Sequence, residues 1–312
     1  MRIGAVILGA ACFLAVALPG LVSFEDYLLY NAGIALIYVV LATGYNILLG
    51  LCGQLSMAQV AFFGLGGYAS ALLTRDLHWP WAAALLVAAL LPTAGAWVIA
   101  RAALRLTGPY LAMVTFAFHS ALFTLFTNWV DLTNGWGGLS RIPPAAVAGF
   151  AFDTPARVYY LLLGFAMLAV ALSLRLKASR IGRAMLAVRE NRLAAKGAGI
   201  DTARIITIGF CLSGAMAGIA GSLHAHFVHY IDPTTFGLPR MVDLLIILII
   251  GGRGSIIGVA VTAIAYVFAL EYLRFLEEWK LMVFGALLIV MVSVSPDGLG
   301  ALVRRLARTS RA

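Results

Sequence analysis

Long apolar runs constrain the fold of this chain more than any other feature of its sequence. Several of them approach or exceed the roughly 20 residues that a helix needs to cross the core of a bilayer. Ten runs can be drawn, over about 4–22, 27–50, 56–74, 80–100, 108–127, 158–175, 204–226, 239–251, 255–273 and 280–295. Only 11% of the 312 residues are charged, whereas about a quarter of an average soluble protein is. The sequence therefore predicts an all-α, polytopic transmembrane bundle of about ten spans, forming a single domain over 1–312.

The basic residues indicate how this bundle is oriented. The net charge is +9, but the basic residues gather in short gaps between apolar runs and do not form the aromatic-interleaved surface of a nucleic-acid binder. With the N-terminus inside, the inner connections hold Arg101, Arg105, the cluster from Lys177 to Lys196, Arg253 and the basic tail over about 297–312. The outer connections are acidic or balanced. The positive-inside rule then predicts that both termini are cytoplasmic.

Two glycine-rich stretches interrupt the apolar pattern. GLCGQLSMAQ (50–59) and GGRGS (251–255) place glycines and polar side chains at or near membrane depth. Non-helical backbone at that depth must be buried in protein or line a cavity, and broken helices form the pathway in many transporters. Ordinary tight cytoplasmic turns remain the alternative. Elsewhere, Gly214 and Gly218 form a GxxxG pair that predicts close helix packing.

Five polar residues are candidates for lining a translocation pathway. They are Asn46, Gln54, Ser56, Gln59 and His119. The same side chains could instead hydrogen-bond one helix to another. Gln54 and Gln59 are the strongest candidates because they flank the first glycine break. Asp243, near the start of an apolar run, lies three residues after Arg240 on the same helical face, which predicts an end-of-helix ion pair and leaves a contact with a substrate amino group as the alternative.

The sequence contains no motif that predicts catalysis or metal binding. It has no Gly-Lys pair and therefore no P-loop to hold ATP phosphates. The tract HAHFVH (224–229) invites a metal site, but no cysteine or pair of carboxylates supports it. Cys12, Cys52 and Cys211 lie in or beside apolar runs, where a free cysteine packs as a small hydrophobe. We therefore expect a protein that is not an enzyme and holds no cofactor of its own.

One long charged segment, over about 177–203, divides the apolar runs. Ser179 can cap a helix, and Ile181, Met185 and Val188 follow at roughly helical spacing. Such a helix could lie in the lipid interface, bind a calmodulin-like partner or dock into a groove on a cytoplasmic protein. Its apolar side chains are small and include no Trp or Phe, which favours close protein contact.

Several motifs occur together in an order that is typical of one family. They are GYNILLGLCGQLSMAQVAFFGLGGYASALL (44–73), LTGPYLAMVTFAFHSALFTLF (106–126), TNGWGGLSRIPP (133–144), SRIGRAMLAVRENRLAAKGAGI (179–200), GGRGSIIG (251–258) and SPDGLGALVRR (295–305). Together they resemble the LivM-type permeases of the branched-chain amino-acid ABC transporter family. One departure is that Ile256, Ile257 and Gly258 follow Ser255, where family members often have a proline.

The resemblance implies a permease subunit in the bacterial cytoplasmic (inner) membrane. Its partners would be a LivH-like permease, two cytoplasmic ATPases that bind ATP and Mg²⁺, a periplasmic substrate-binding protein and the amino-acid substrate. The 179–200 stretch would be the coupling helix that docks on an ATPase. Carried over, the contact residues are Gly182, Arg183, Ala184, Arg189, Glu190, Asn191, Ala194 and Ala195.

Two other functions remain open at this point. Related permeases for urea and short amides share much the same motifs. The resemblance therefore distinguishes poorly between amino acids and these smaller substrates. A stand-alone secondary transporter is the alternative from a different class. The sequence disfavours it, because no span carries the series of buried ionisable residues expected of a proton- or sodium-coupled pathway.

Overall fold

A computed structural model describes residues 26–272 except Arg105, Thr107, Ala148 and Gly149. The predicted first and tenth spans, Cys12 and the basic tail lie outside the described residues. The first half contains α1 (Asp26–Asn46), a π-helical turn (Ile47–Leu51), α2 (Gln59–Arg75), α3 (Trp81–Ala103), α4 (Pro109–Asn128) and the short α5 (Val130–Thr133). The second half contains α6 (Pro155–Ala178), α7 (Arg180–Glu190), α8 (Arg192–Gly197), α9 (Thr202–Val228), α10 (Leu238–Gly251) and α11 (Ile256–Tyr272).

The remaining elements are short and lie between these helices. Two 3₁₀ turns, Gly135–Gly137 and Pro233–Phe236, flank the connections. Strand β1 (Leu139–Ser140) pairs antiparallel with β4 (Tyr230–Ile231), and β2 (Ala146–Val147) pairs with β3 (Phe150–Ala151). The β1–β4 pair joins two connections that are distant in the sequence, so these loops form one surface.

The helices have the lengths of membrane spans. Six in the described part of the chain are long and apolar enough to cross a bilayer: Tyr27–Leu51, Trp81–Ala103, Pro109–Asn128, Pro155–Ala178, Thr202–Val228 and Pro233–Gly251. The predicted third and ninth spans correspond to α2 and α11, which have 17 residues each. The predicted short eighth span corresponds to α10, with 14 residues after the 3₁₀ turn. A multi-pass helical membrane protein is thus confirmed, and the count of about ten stays a prediction.

The connections gather at two opposite ends of the bundle. Hydrogen bonds join residues of 47–58, 176–201 and 252–255, which we call the basic end. Other hydrogen bonds join 129–147 to 229–237, which together with 76–80 we call the loop end. Each long helix therefore begins at one end and finishes at the other, so successive long helices run in alternating directions.

Two of these helices start with a proline. Pro109 and Pro155 occupy first turns of their helices, where the missing N–H costs nothing.

Helix α1 lies at the centre of the described bundle. Of the most apolar stretch of this helix, 94% is buried inside the protein. The corresponding buried share is 28% in α3 and 33% in both α4 and α6. It packs against α6, α9 and α11, while α9 also packs against α2 and α3. The outer helices leave apolar side chains on the surface, including Leu86, Met113 and Leu172. Such faces suit lipid or another membrane subunit, since neither requires polar side chains.

Small residues let α9 approach α3 closely. Pro92 lies inside α3 and has no N–H to donate to the Ala88 carbonyl one turn earlier. Gly218 of α9 packs against that same carbonyl, and a Cβ added to Gly218 would lie 1.8 Å from the Ala88 oxygen. A Cβ added to Gly214 would lie 2.9 Å from the Pro92 oxygen. The close packing that the GxxxG spacing predicts is therefore confirmed at both glycines.

Candidate functional site

The two glycine-rich stretches meet at the basic end. The Gly254 amide donates to Asn46 Oδ1 at 2.9 Å. A Cβ added to Gly50 would lie 1.9 Å from that oxygen and 2.5 Å from the Gly254 nitrogen. The break after α1 and the break between α10 and α11 are thus in direct contact. Sequence reasoning identified each break separately but did not predict this contact.

Two basic side chains bind the carbonyls of these breaks. Arg189 Nη1, from α7, donates to the Gly50 carbonyl at 2.5 Å and lies 3.4 Å from the Arg253 carbonyl. Lys177 Nζ, from the end of α6, donates to the Gly254 carbonyl at 2.5 Å. Carbonyls at helix ends lack an intrahelical donor and are stabilised by basic side chains. The charged segment is therefore bonded to both breaks.

The charged segment consists of two short helices with separate caps. Ser179 Oγ accepts from the Gly182 amide at 3.1 Å and so caps α7, as the sequence predicts. Asn191 Oδ1 accepts from the Leu193 and Ala194 amides, each at 3.0 Å, and caps α8. Sequence reasoning missed this second start. The signal was Asn191 itself, because asparagine is among the preferred N-cap residues.

The predicted coupling residues divide into a buried and an exposed set. The buried ones are Gly182 and Ala195, and the half-buried ones are Ala184 and Arg189. The exposed ones are Arg183, Glu190, Asn191 and Ala194. A Cβ at Gly182 would lie 2.0 Å from the Leu176 carbonyl oxygen, so this glycine allows the tight turn from α6 into α7. Leu193, which sequence reasoning did not single out, is 82% exposed beside the exposed set.

Three of the pathway candidates form hydrogen bonds inside the protein. Gln59 Nε2 donates to the Ser213 carbonyl at 3.3 Å, and Ser213 Oγ donates back to Gln59 Oε1 at 2.7 Å. Ser56 Oγ accepts from the Ala58 amide at 3.3 Å. The bonds of Gln59 with Ser213 and of Asn46 with Gly254 match the alternative in which these side chains hold separate parts of the chain together, whereas the Ser56 bond is local. Contact of these residues with a solute stays a prediction.

Gln54 and His119 are placed differently from these three. Gln54 lines a cleft of about 690 Å³ between the first glycine stretch, the start of α4 and the end of α7, which Arg189, Glu190 and Met113 also line. Gln54 Nε2 donates to the Cys52 carbonyl at 3.2 Å. His119 is buried in α4, and its Nδ1 has no hydrogen-bond partner within the described residues. Of the five candidates, only Gln54 borders this cleft.

An ion pair lies nearer the loop end. Arg240 Nη1 is 3.9 Å from Asp243 Oδ2, with side chains 31% and 16% exposed. Tyr266 donates to Asp243 Oδ1 at 2.5 Å, Tyr38 donates to Oδ2 at 3.4 Å, and Arg240 donates to the Tyr38 hydroxyl oxygen. The structure contains the predicted pair. It adds that two tyrosines connect the pair in α10 to α1 and α11.

The histidine tract organises the loop end. His226 Nδ1 donates to the Pro143 carbonyl at 2.7 Å, and its Nε2 lies 3.0 Å from Ser70 Oγ. His229 Nδ1 donates to the Ile142 carbonyl at 2.9 Å. Within the described ranges, no three His, Cys, Asp or Glu side chains are grouped to hold a metal ion. These histidines hold the loop that carries β1 against α9.

Comparison with known proteins gives consistent matches along the chain. Residues 27–292 match the family described as branched-chain amino acid transport system, permease component. The high-affinity branched-chain amino acid transport system permease protein LivM of Escherichia coli K12 is 32% identical, over 95% of this chain and 74% of that protein. LivM of Salmonella typhimurium is 31% identical, with the same coverage. LivH of Salmonella typhimurium is 28% identical, over 84% of this chain and 90% of that protein. No solved structure gives a significant match.

Proposed function

The chain belongs to the family of permease components of branched-chain amino acid transport systems, and on that premise we propose that it serves an ATP-driven importer of branched-chain or related amino acids. As a permease component it is a membrane transport subunit and not an enzyme. The observation that carries the proposal is the similarity to LivM along 95% of the chain. ATP and Mg²⁺ would then be bound by partner subunits.

The proposed partners include a second permease. The chain is similar to both LivM and LivH, and related chains can pack about a pseudo-twofold axis through similar faces. A LivH-like subunit would cover part of the apolar surface that α3, α4 and α6 leave exposed. Two cytoplasmic ATPases and a periplasmic substrate-binding protein complete the proposed assembly. The substrate would pass between the two permeases by alternating access.

The distribution of charge supports an orientation in the bacterial inner membrane. The basic end carries Lys177, the arginines of α7 and Arg253, whereas the loop end carries Asp76, Asp131 and Asp232. The positive-inside rule favours the basic end in the cytoplasm. With about ten spans, both termini would then be cytoplasmic. The β1–β4 surface would face the periplasm, where a binding protein could press on it.

The exposed face of the charged segment is the proposed docking surface for an ATPase. Arg183, Glu190 and Asn191 project from it beside the apolar side chain of Leu193. Gly182 and Ala195 would support this face from the buried side. Arg189 differs, because its guanidinium bonds to carbonyls of the two glycine breaks. Closure of the ATPases on ATP would move the docked segment and, through it, the spans.

Replacing Glu190 with Gln or Arg183 with Gln should weaken ATPase docking. We expect the affinity of the membrane subunits for the ATPases, and substrate uptake, to fall by about tenfold in each variant, as for a central interface residue. Stability should change little, since substitutions at exposed positions usually shift it by about 0.5 kcal/mol or less. The measurement is pull-down of the tagged chain from native membranes in mild detergent, with mass spectrometry and a parallel uptake assay.

Arg157→Gln is the matched control for this experiment. Arg157 is also an exposed arginine, but it lies on α6 next to the loop end, where it pairs with Asp153 at 3.0 Å. It should leave ATPase recovery and uptake unchanged. If the wild-type chain is recovered alone, in a detergent that preserves a known ABC complex, the importer proposal fails. If the ATPases are recovered equally with all variants, the docking face lies elsewhere.

A further inference from the structure

Arg189 differs from its neighbouring arginines in what its guanidinium contacts. Arg183 Nη1 donates to the carbonyl of Ala178, the last residue of α6, at 2.9 Å. Arg192 Nη2 donates to the Leu104 carbonyl at 3.1 Å, at the end of α3. Arg189 Nη1 instead lies between the Gly50 and Arg253 carbonyls, which belong to the two different breaks. One side chain thus spans three parts of the chain that are remote in sequence.

The backbone of both breaks is closed tightly around this side chain. A Cβ added to Gly53 would lie 3.0 Å from Arg189 Cγ and 3.3 Å from its Cα. A Cβ added to Gly254 would lie 2.9 Å from Arg189 Nη1. Both glycines have positive φ, of 70° and 84°, a conformation that side chains disfavour. The glycines therefore provide the room that lets the breaks enclose the arginine, and α7 cannot shift without displacing their backbone.

Two further bonds make the cluster a unit. Lys177 binds the Gly254 carbonyl from the end of α6, while Asn46 binds the Gly254 amide from the end of α1. The Gly254 carbonyl is thus held from α6 and the Gly254 amide from α1. These contacts join the α6–α7 corner to the end of α1 and to the break between α10 and α11. Among the residues that the structure describes, no hydrogen bond joins the exposed Arg183 to either break, and its guanidinium binds the Ala178 carbonyl.

We propose that Arg189 is a positioning residue that transmits movement of the charged segment to both glycine breaks, and that it does not serve as a contact with the ATPase. This inference rests on the proposed function, because transmission has a purpose only if a partner moves the segment. An arginine suits the position, since its planar guanidinium presents several donors in fixed directions and can bridge two carbonyls. A lysine ammonium carries three donors but ends a flexible chain and is strongly hydrated, so it should hold the two carbonyls less firmly.

Hydrogen exchange of the breaks tests the link directly. The transporter is purified with its partners, carrying Arg189→Gln, Arg189→Lys or the control Arg157→Gln, and exchange is followed by mass spectrometry. Arg183→Gln is compared with them for ATPase recovery alone. We expect R189Q to speed amide exchange in 50–55 and 251–255 by about tenfold. The hydrogen bonds of Arg189 resist opening of these segments in the wild type, and the substitution removes them. R189K should give an intermediate increase, and R157Q should leave both segments unchanged.

Two readouts in the same samples separate transmission from docking. R189Q should retain the ATPases on pull-down but transport about tenfold less substrate per ATP hydrolysed, since the spans no longer follow the segment. R183Q should lose the ATPases. The inference is overturned if R189Q loses the ATPases while exchange at the breaks stays unchanged, or if its exchange rises equally throughout the chain, which would indicate only a general loss of stability.

The design also separates this inference from the proposed function. If the wild-type chain carries no ATPases at all, the importer proposal fails, and the exchange measurement on the chain still decides whether Arg189 holds the breaks. If R189Q does not accumulate in membranes, R189K supplies the same comparison with the positive charge retained but without the planar guanidinium. Unchanged exchange in R189K and R189Q alike would refute the link.

Discussion

Gly218→Ala is expected to lower the free energy of unfolding by about 3 kcal/mol, at the upper end of the usual cost of overpacking. The new methyl group would lie 1.8 Å from the Ala88 carbonyl oxygen and 2.7 Å from Pro92 Cγ. The first of these atoms belongs to the backbone of α3, so a change of side-chain rotamer cannot relieve the clash. Either α9 or α3 must move, and α9 also packs against α1 and α2.

Gly164→Ala is the matched control for this substitution. Gly164 lies inside α6, and a Cβ added there meets no atom within 4 Å. Alanine should be tolerated or should stabilise the helix by up to about 1 kcal/mol. The measurement is reversible unfolding of the purified chain in mixed micelles, with thermal stability as a second readout. Equal losses in the two variants would contradict the close α3–α9 contact.

Asp243→Asn is expected to destabilise the chain by about 2 kcal/mol, less than the loss of one partner from a fully buried ion pair, because the two side chains are partly exposed. The substitution leaves Arg240 without its carboxylate, and Tyr38 and Tyr266 lose a charged acceptor at the point where α1, α10 and α11 meet. The same unfolding assay measures the change. We also expect reduced accumulation in membranes, because this junction holds the centre of the bundle.

The surface pair of Arg157 and Asp153 provides the comparison for this prediction. Its side chains are 49% and 59% exposed, and exposed pairs contribute about 1 kcal/mol or less. Asp153→Asn should therefore have a small effect. The double variant Arg240→Gln with Asp243→Asn should lose less stability than the two single changes added together, since neither charge is then left alone. Additive losses would show that the two side chains act independently.

Local patterns in the sequence predicted the helices and their caps, but they did not predict which distant residues are in contact. Apolar runs located the described spans, and Ser179 was identified as a cap because its type and position suffice. The contact of Gly50 with Gly254 was not predictable in the same way. Both glycines were recognised as breaks, but periodicity relates residues a few positions apart and does not report which breaks meet in space. The inward direction of Arg189 was missed for the same reason.

The pathway candidates show a second limit of sequence reasoning. Gln59 was a leading candidate because it is polar and borders a glycine break. In the structure its amide exchanges hydrogen bonds with Ser213 of α9. A polar residue in a span must bond to something, and its type is the same whether that partner is a solute or another helix. Only the position of Ser213, on a helix that is distant in sequence, shows that the partner of Gln59 in this structure is another helix.

The central place of α1 has a consequence for how the protein is made. A chain enters the membrane in the order of its synthesis, so α1 meets lipid before α6, α9 and α11 exist to enclose it. Asn46 must wait for the Gly254 amide, which lies 208 residues later in the chain. The first break is therefore completed only after Gly254 has been synthesised. A chain that ends before Gly254 has α6 and α9 to cover α1 but lacks α11 and the amide that binds Asn46, so its first break stays open.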